Sequence, residues 1–189
     1  PVARFSKHNS YITHFDFSAD GQYMRSCCGA YELLFCRPLA FGQMVSASSV
    51  KDVRWATETC VLGWGVQGVW PPCSDGTDVN AVDRGGAGGA LLASGDDFGN
   101  VKLFSYPVSA AHAPFEQYRA HSSHVTNVRW SGGGSELPGD GGFLITTGGN
   151  DRCVMQWAVQ GSAATAAAVA TTMAAGSTVA ATARLPPSA

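Results

Sequence analysis

Three groups of residues in this 189-residue chain have side chains that could do chemistry. His121-Ser122-Ser123-His124 sets hydroxyls beside imidazoles, the materials of nucleophilic catalysis. Adjacent residues on a strand face opposite ways, however, and no G-x-S-x-G elbow accompanies them, so the hydrolase reading fails. Asp75, Asp78, Asn80 and Asp83 offer oxygen ligands suited to calcium, but their spacing misses D-x-[DN]-x-[DN]-G and the distal Glu. Asp75-Gly76-Thr77-Asp78 reads better as a turn whose carboxylates cap backbone N–H groups. Cys27, Cys28, Cys36, Cys60, Cys73 and Cys153 form no C-x-x-C pair, and His/Cys spacing builds no metal site. All six are expected to be buried thiols in a reducing compartment. No G-x-x-x-x-G-K-[ST] is present, so the glycines read as turns and not as a phosphate cradle. The expectation is a chain without catalysis, cofactor or metal.

What positions these residues is a repeat. One ending is written three times, over Ser26–Cys36, Ser94–Phe104 and Thr147–Trp157: small residues, a turn, then an apolar strand closing on a large or sulfur-bearing residue. A matching opening precedes two of them, at His8–Phe17 and His121–Trp130. Self-similarity at roughly 40–50 residues with four short strands per unit predicts a β-propeller. In such a blade the third strand carries the closing aromatic, here Phe104 and Trp157. A polar turn residue and a His at the opening fasten the unit through shared hydrogen bonds. His8, His121, Asp151, Phe104 and Trp157 are therefore expected to hold blades together. Ala30 and Phe98 stand where Asp151 stands in the third unit, and Cys36 replaces the closing aromatic. Two of three blades are thus expected to lack an Asp-centred network.

The fold class predicted is all-β, a partial propeller of about three atypical four-stranded blades over 1–157. The units run over about 7–41, 42–106 and 120–157. The second contains an inserted hairpin built from Thr59–Trp64 and Val66–Trp70, stopped by Pro71-Pro72. Ser131–Gly142, rich in glycine, reads as a surface loop. From 158 to 189 the composition turns to Ala, Thr, Val and Ser, a low-complexity tail. The chain begins without Met and reads as a fragment. Three blades do not close a ring, so further blades or partner chains are expected on its open faces.

Composition narrows the partners. With 45% hydrophobic and 14% charged residues the chain can bury a core. Its net charge of −2, with 12 scattered Lys and Arg, shows no basic stripe for nucleic acid. No run of 18 apolar residues predicts a membrane span, and no signal peptide is visible at the start.

Four stretches go beyond the general repeat. They are Ser10–Asp16 with Tyr23–Ser26; Trp55-Ala56-Thr57 with Thr59–Gly63; Val66–Pro71 with Ser74–Arg84; and Leu91–Pro107 with His121–Val128. Through them the chain resembles the WD-repeat proteins, and within those the C-terminal propeller of the echinoderm microtubule-associated protein-like family. The resemblance implies a non-catalytic protein that binds tubulin and microtubules beside other cytoskeletal or axonemal proteins. It places the protein in the cytoplasm, on the cytoskeleton, or in a ciliary axoneme. Exposed aromatics, Trp64 and Trp70, are candidate partner contacts. The alternative is a generic adaptor propeller that meets no tubulin directly.

Overall fold

A computed structural model describes residues 2–40, 42–76, 78–131 and 143–159. Among these residues eleven strands make three antiparallel sheets. The first joins β1 (Ile12–Phe17), β2 (Met24–Cys28), β3 (Leu33–Arg37) and β4 (Gly42–Met44) in that order. The second joins β5 (Val79–Gly85), β6 (Leu91–Asp96), β7 (Asn100–Ser105) and β8 (Phe115–Arg119). The third holds β9 (Val125–Trp130), β10 (Phe143–Gly148) and β11 (Val154–Ala158). Each is a blade wound as a meander, with helical structure among the described residues limited to short 3-10 turns. No helix among the described residues is long and apolar enough to cross a membrane.

The repeated ending is the second strand, its turn and the third strand of each sheet. The repeat is equally visible in register. In each sheet the first strand slips by one residue at the same place, between Ile12 and His14, Val79 and Ala81, and Val125 and Asn127. Ile12, Val79 and Val125 are therefore equivalent, and so are Asp16, Asp83 and Arg129 four residues on.

The middle blade is buried on both faces, which is why its strands read as apolar runs and not as strict alternation. Ala81, Ala93, Val101 and Leu103 pack with Val125, Val128, Trp130, Leu144 and Trp157 of the third blade. Val79, Val82, Leu92 and Phe104 face the other way, onto Val66, Val69 and Val108. Close approach of the blades depends on missing side chains: a Cβ on Gly95 would lie 2.4 Å from Val125 Cγ1 and one on Gly85 2.1 Å from Trp130 Cγ. On the first blade Phe35 packs with Val50 and Trp55. Its Phe15 and Phe17 remain 57% and 42% exposed. Their equivalents Val128 and Trp130 are buried against the blade before them.

Several expectations need correction. The hairpin expected within Thr59–Trp70 does not form; turns and one 3-10 turn, Gln67–Val69, stand there. Its backbone donors are claimed elsewhere: the Thr59 and Cys60 N–H groups by the Asp16 carboxylate, and Gly68 N–H by the Val108 carbonyl. The fourth strands β4 and β8 lie past the unit ends set at 41 and 106. The buried-thiol reading holds for Cys27, Cys28, Cys36 and Cys60, all free, but Cys73 and Cys153 are free and exposed. Cys73 follows the two prolines in a left-handed turn and Cys153 precedes β11, so neither lies inside a sheet. The loop expected at 131–142 lies outside the described residues but for Ser131, and the tail expected from 158 but for Ala158, which ends β11, and Val159.

Candidate functional site

The chemistry-bearing residues gather in two kinds of place: the turn networks within blades, and the seams between them. In the third blade His121 stands just before β9 and reaches across to β10 and the following turn. Its Nδ1 is 2.7 Å from Asp151 Oδ2 and its Nε2 is 2.8 Å from Thr146 Oγ1. Trp157 Nε1 donates to the same hydroxyl oxygen at 2.9 Å. Cys153 N–H donates to Asp151 Oδ1 at 3.1 Å. Every donor finds an acceptor if His121 carries its proton on Nδ1: indole to hydroxyl, hydroxyl to Nε2, Nδ1–H to carboxylate. That backbone bond from Cys153, with His121 beside it, holds the Asp151 carboxyl below its ordinary range.

Asp151, His121 and Thr146 thus sit in the order of a catalytic triad. The geometry serves structure all the same. Thr146 is fully buried, its oxygen already accepts the Trp157 N–H, and the His121 side chain is sealed from solvent. A hydroxyl with no substrate access, held between an indole N–H and an imidazole, fastens strands. Ser122 and Ser123, which prompted the hydrolase idea, are outside this relay; Ser123 Oγ pairs with His124 Nδ1 at 3.1 Å.

Thr146 is the member that the repeat alignment misses. Aligning the endings at Thr147 counts back from Trp157, but the third turn is one residue longer than the others. Strand pairing places Ser26, Ser94 and Thr146 as equivalents: opposite Leu34, Lys102 and Met155. Thr147 lies on the other face, its hydroxyl 2.7 Å from that of Thr126.

The other two blades also have carboxylates in their turns, contrary to expectation. In the second, Asp96 accepts the N–H groups of Phe98 at 3.0 Å and Asn100 at 2.8 Å and pairs with Lys102 at 3.2 Å. In the first, Glu32 accepts Asn9 N–H at 2.9 Å and the Cys28 thiol at 3.1 Å. These bonds hold the Glu32 carboxyl down at about 2. His8 Nε2 lies 2.7 Å from Ser26 Oγ, as His121 does from Thr146. Phe104, buried at 2% exposure, fills the closing position and packs on Phe115 with ring centres 5.3 Å apart. Sequence alignment at Ala30 and Phe98 misses Glu32 and Asp96 because they enter the turn from flanking positions.

The seams hold a second, unforeseen network. Asp16 on β1 is 1% exposed and accepts the N–H groups of Thr59 and Cys60 at 2.9 and 3.0 Å and the Thr57 hydroxyl at 2.6 Å. Arg25 on β2 is 2.9 Å from Asp16 and also pairs with Glu58. Its guanidinium lies 4.4 Å from the centre of the Trp55 ring. Tyr106 O–H donates to Glu58 at 2.6 Å, carrying the network into the second blade. Desolvation pushes the Asp16 carboxyl up, but Arg25 and the bonds from Thr57, Cys60 and Thr59 outweigh it and leave it lowered. Burial and the Glu58 charge push the Tyr106 phenol up to about 12. At the next seam Asp83 accepts Trp130 N–H at 2.7 Å, and desolvation raises its carboxyl. The same strand position thus stitches both seams, by carboxylate to backbone N–H.

Of the two candidate contacts, Trp64 is 45% exposed. Trp70 is half-buried and spends its indole N–H on the Val61 carbonyl at 2.9 Å.

Comparison with known proteins places this architecture. A family model described as the echinoderm microtubule-associated protein second β-propeller matches residues 1–159. The chain is 49% identical over 158 residues to echinoderm microtubule-associated protein-like 1 of Rattus norvegicus, covering 84% of this chain and 18% of that protein. It is 48% identical over 158 residues to the 77 kDa echinoderm microtubule-associated protein of Strongylocentrotus purpuratus, covering 84% of this chain and 22% of that one. Echinoderm microtubule-associated protein-like 2 of Mus musculus is 46% identical over the same share of this chain, with 23% of its own length covered. The chain spans about a fifth of the length of these relatives.

Proposed function

Because this chain belongs to the echinoderm microtubule-associated protein family, within its second β-propeller, we propose that it is a non-catalytic part of a microtubule-binding protein. The observation that carries this reading is the match across all three blades to relatives whose names state microtubule association. The burial of the triad-like set Asp151, His121 and Thr146 supports the non-catalytic half. The protein works on the cytoskeleton in the cytoplasm or in a ciliary axoneme, with tubulin as direct partner and axonemal proteins beside it. No nucleic acid, membrane or cofactor enters the reading.

Contact is made by shape and polar groups, since Lys and Arg are few and Arg25 is buried in an ion network. Trp64 is the better placed of the two aromatic candidates, with Trp70 supporting it from the half-buried side. Co-pelleting of the chain with microtubules over a salt series tests this. Binding that persists through moderate salt supports it, and steep loss as salt rises contradicts contact by shape. A pull-down with purified tubulin alone separates it from the adaptor reading, which predicts no retention.

A further inference from the structure

Blade 1 contains a histidine whose second ring nitrogen is buried, makes no hydrogen bond and faces a carboxylate. In the third blade both nitrogens of His121 are engaged, by Asp151 and Thr146. In the first blade His8 Nε2 is engaged by Ser26 Oγ, but Nδ1 is buried with no hydrogen-bond partner, in a side chain only 4% exposed. That nitrogen points to Glu32 Oε2 at 3.5 Å, and Cys28 Sγ lies 3.1 Å from the same oxygen. The three donor atoms fall within 4.8 Å of one another.

We propose that His8 Nδ1, Cys28 Sγ and Glu32 Oε2 form a site for one zinc ion, with water as fourth ligand. A tetrahedral zinc with bonds of about 2.0–2.3 Å sets its ligand atoms roughly 3.3–3.6 Å apart. The His8–Glu32 separation already fits, and the Cys28–Glu32 separation opens by about half an ångström when the thiol proton leaves. Nitrogen, thiolate and carboxylate together suit zinc over magnesium or calcium, which take oxygen. The surroundings are those of a supported site. With the His8 proton on Nε2, Ser26 Oγ accepts it and Nδ1 is the free base, while Asn9 holds Glu32 through its backbone N–H and side-chain amide. On binding, the metal–sulfur bond replaces the Cys28 S–H bond and the proton passes to solvent. The sequence hides this site because His8 precedes β1 while Cys28 and Glu32 flank the turn after β2, a spacing that matches no metal motif.

The test uses the whole chain with the exposed Cys73 and Cys153 changed to Ser, so that only the buried Cys27, Cys28, Cys36 and Cys60 remain. Cobalt(II) is titrated in as a spectroscopic probe, then displaced by zinc. One equivalent with thiolate-to-cobalt charge-transfer absorption is expected. Cys28→Ser should abolish the band, and Glu32→Gln and His8→Gln should each weaken zinc binding at least ten-fold. Absence of the band in the parent chain, or a band that survives Cys28→Ser, overturns the proposal. If circular dichroism shows that Cys28→Ser fails to fold, Glu32→Gln at the half-exposed edge decides: unchanged affinity overturns it as well.

Discussion

Arg25→Met is the most informative single change in this protein. It removes a guanidinium that is held between Asp16 and Glu58 and laid over Trp55, with its side chain 4% exposed. Methionine keeps an apolar stem of comparable girth, so the effect comes mainly from the lost guanidinium and its bonds to the two carboxylates. Two carboxylates with side chains at most 1% exposed then lose their counter-ion. Breaking a buried ion pair from one side destabilises by about 3–5 kcal/mol, because the remaining charge stays buried and uncompensated. With a urea slope of about 2 kcal/mol/M, the unfolding midpoint should fall by roughly 1.5–2.5 M. Tryptophan fluorescence reports the transition, since Trp55 is buried beneath Arg25. The pH dependence gives an independent reading. In the wild type the Asp16 carboxyl is lowered on folding, so its contribution is complete above about pH 3.9 and is lost as pH falls through the folded value. Without Arg25 one lowering influence is gone, so the Asp16 carboxyl sits higher than in the wild type. The variant should then lose less stability than wild type as pH falls below about 3.9. A midpoint shift below about 0.5 M, with the acid limb unchanged, would refute the claim that Arg25 holds the first seam together.

Three further outcomes are expected. Thr146→Val strands the Trp157 N–H and one nitrogen of His121 inside the third blade and should destabilise by about 2–4 kcal/mol in urea unfolding. Thr147→Val, on the exposed face, should stay within about 0.5 kcal/mol, so equal effects would contradict the strand register. Gly95→Ala forces a methyl against Val125 and should cost about 1–3 kcal/mol, read as faster hydrogen exchange in β6 and β9. Phe15→Ser with Phe17→Ser should reduce self-association of the isolated chain in sedimentation velocity, as the open face of the first blade loses its aromatic pair. A parent chain that is already monomeric would defeat that last expectation.

The propeller was legible because turn chemistry is local: the small residues, turn and apolar strand lie within about a dozen positions, and composition alone marks them. The histidine and aspartate of the third blade were legible for the same reason, through their fixed offsets from Trp157. Thr146 was not, because one extra turn residue shifts the count while the ladder keeps its own register. Arg25 and Glu58 lie 33 positions apart, and no local pattern marks two charges that meet only when blades stack. The hairpin failed on a related ground. Thr59–Trp64 has strand-like composition, yet its backbone donors are satisfied by a carboxylate from another sheet.

The equivalent trio Asp16, Asp83 and Arg129 has a consequence for assembly order. The first two accept a backbone N–H from the unit that follows. Arg129 has no acceptor to offer: its guanidinium donates back, to the carbonyl of Val128 at 2.8 Å and that of Val82 at 3.5 Å. The three units are therefore not interchangeable parts. Moving the third into either earlier slot would set a cation, exposed where it now stands, against an amide hydrogen, with like polarity meeting like. A single position on the first strand of each sheet thus works as a sequence-encoded key against shuffled blades, a hazard that arises wherever similar modules fold side by side on one chain.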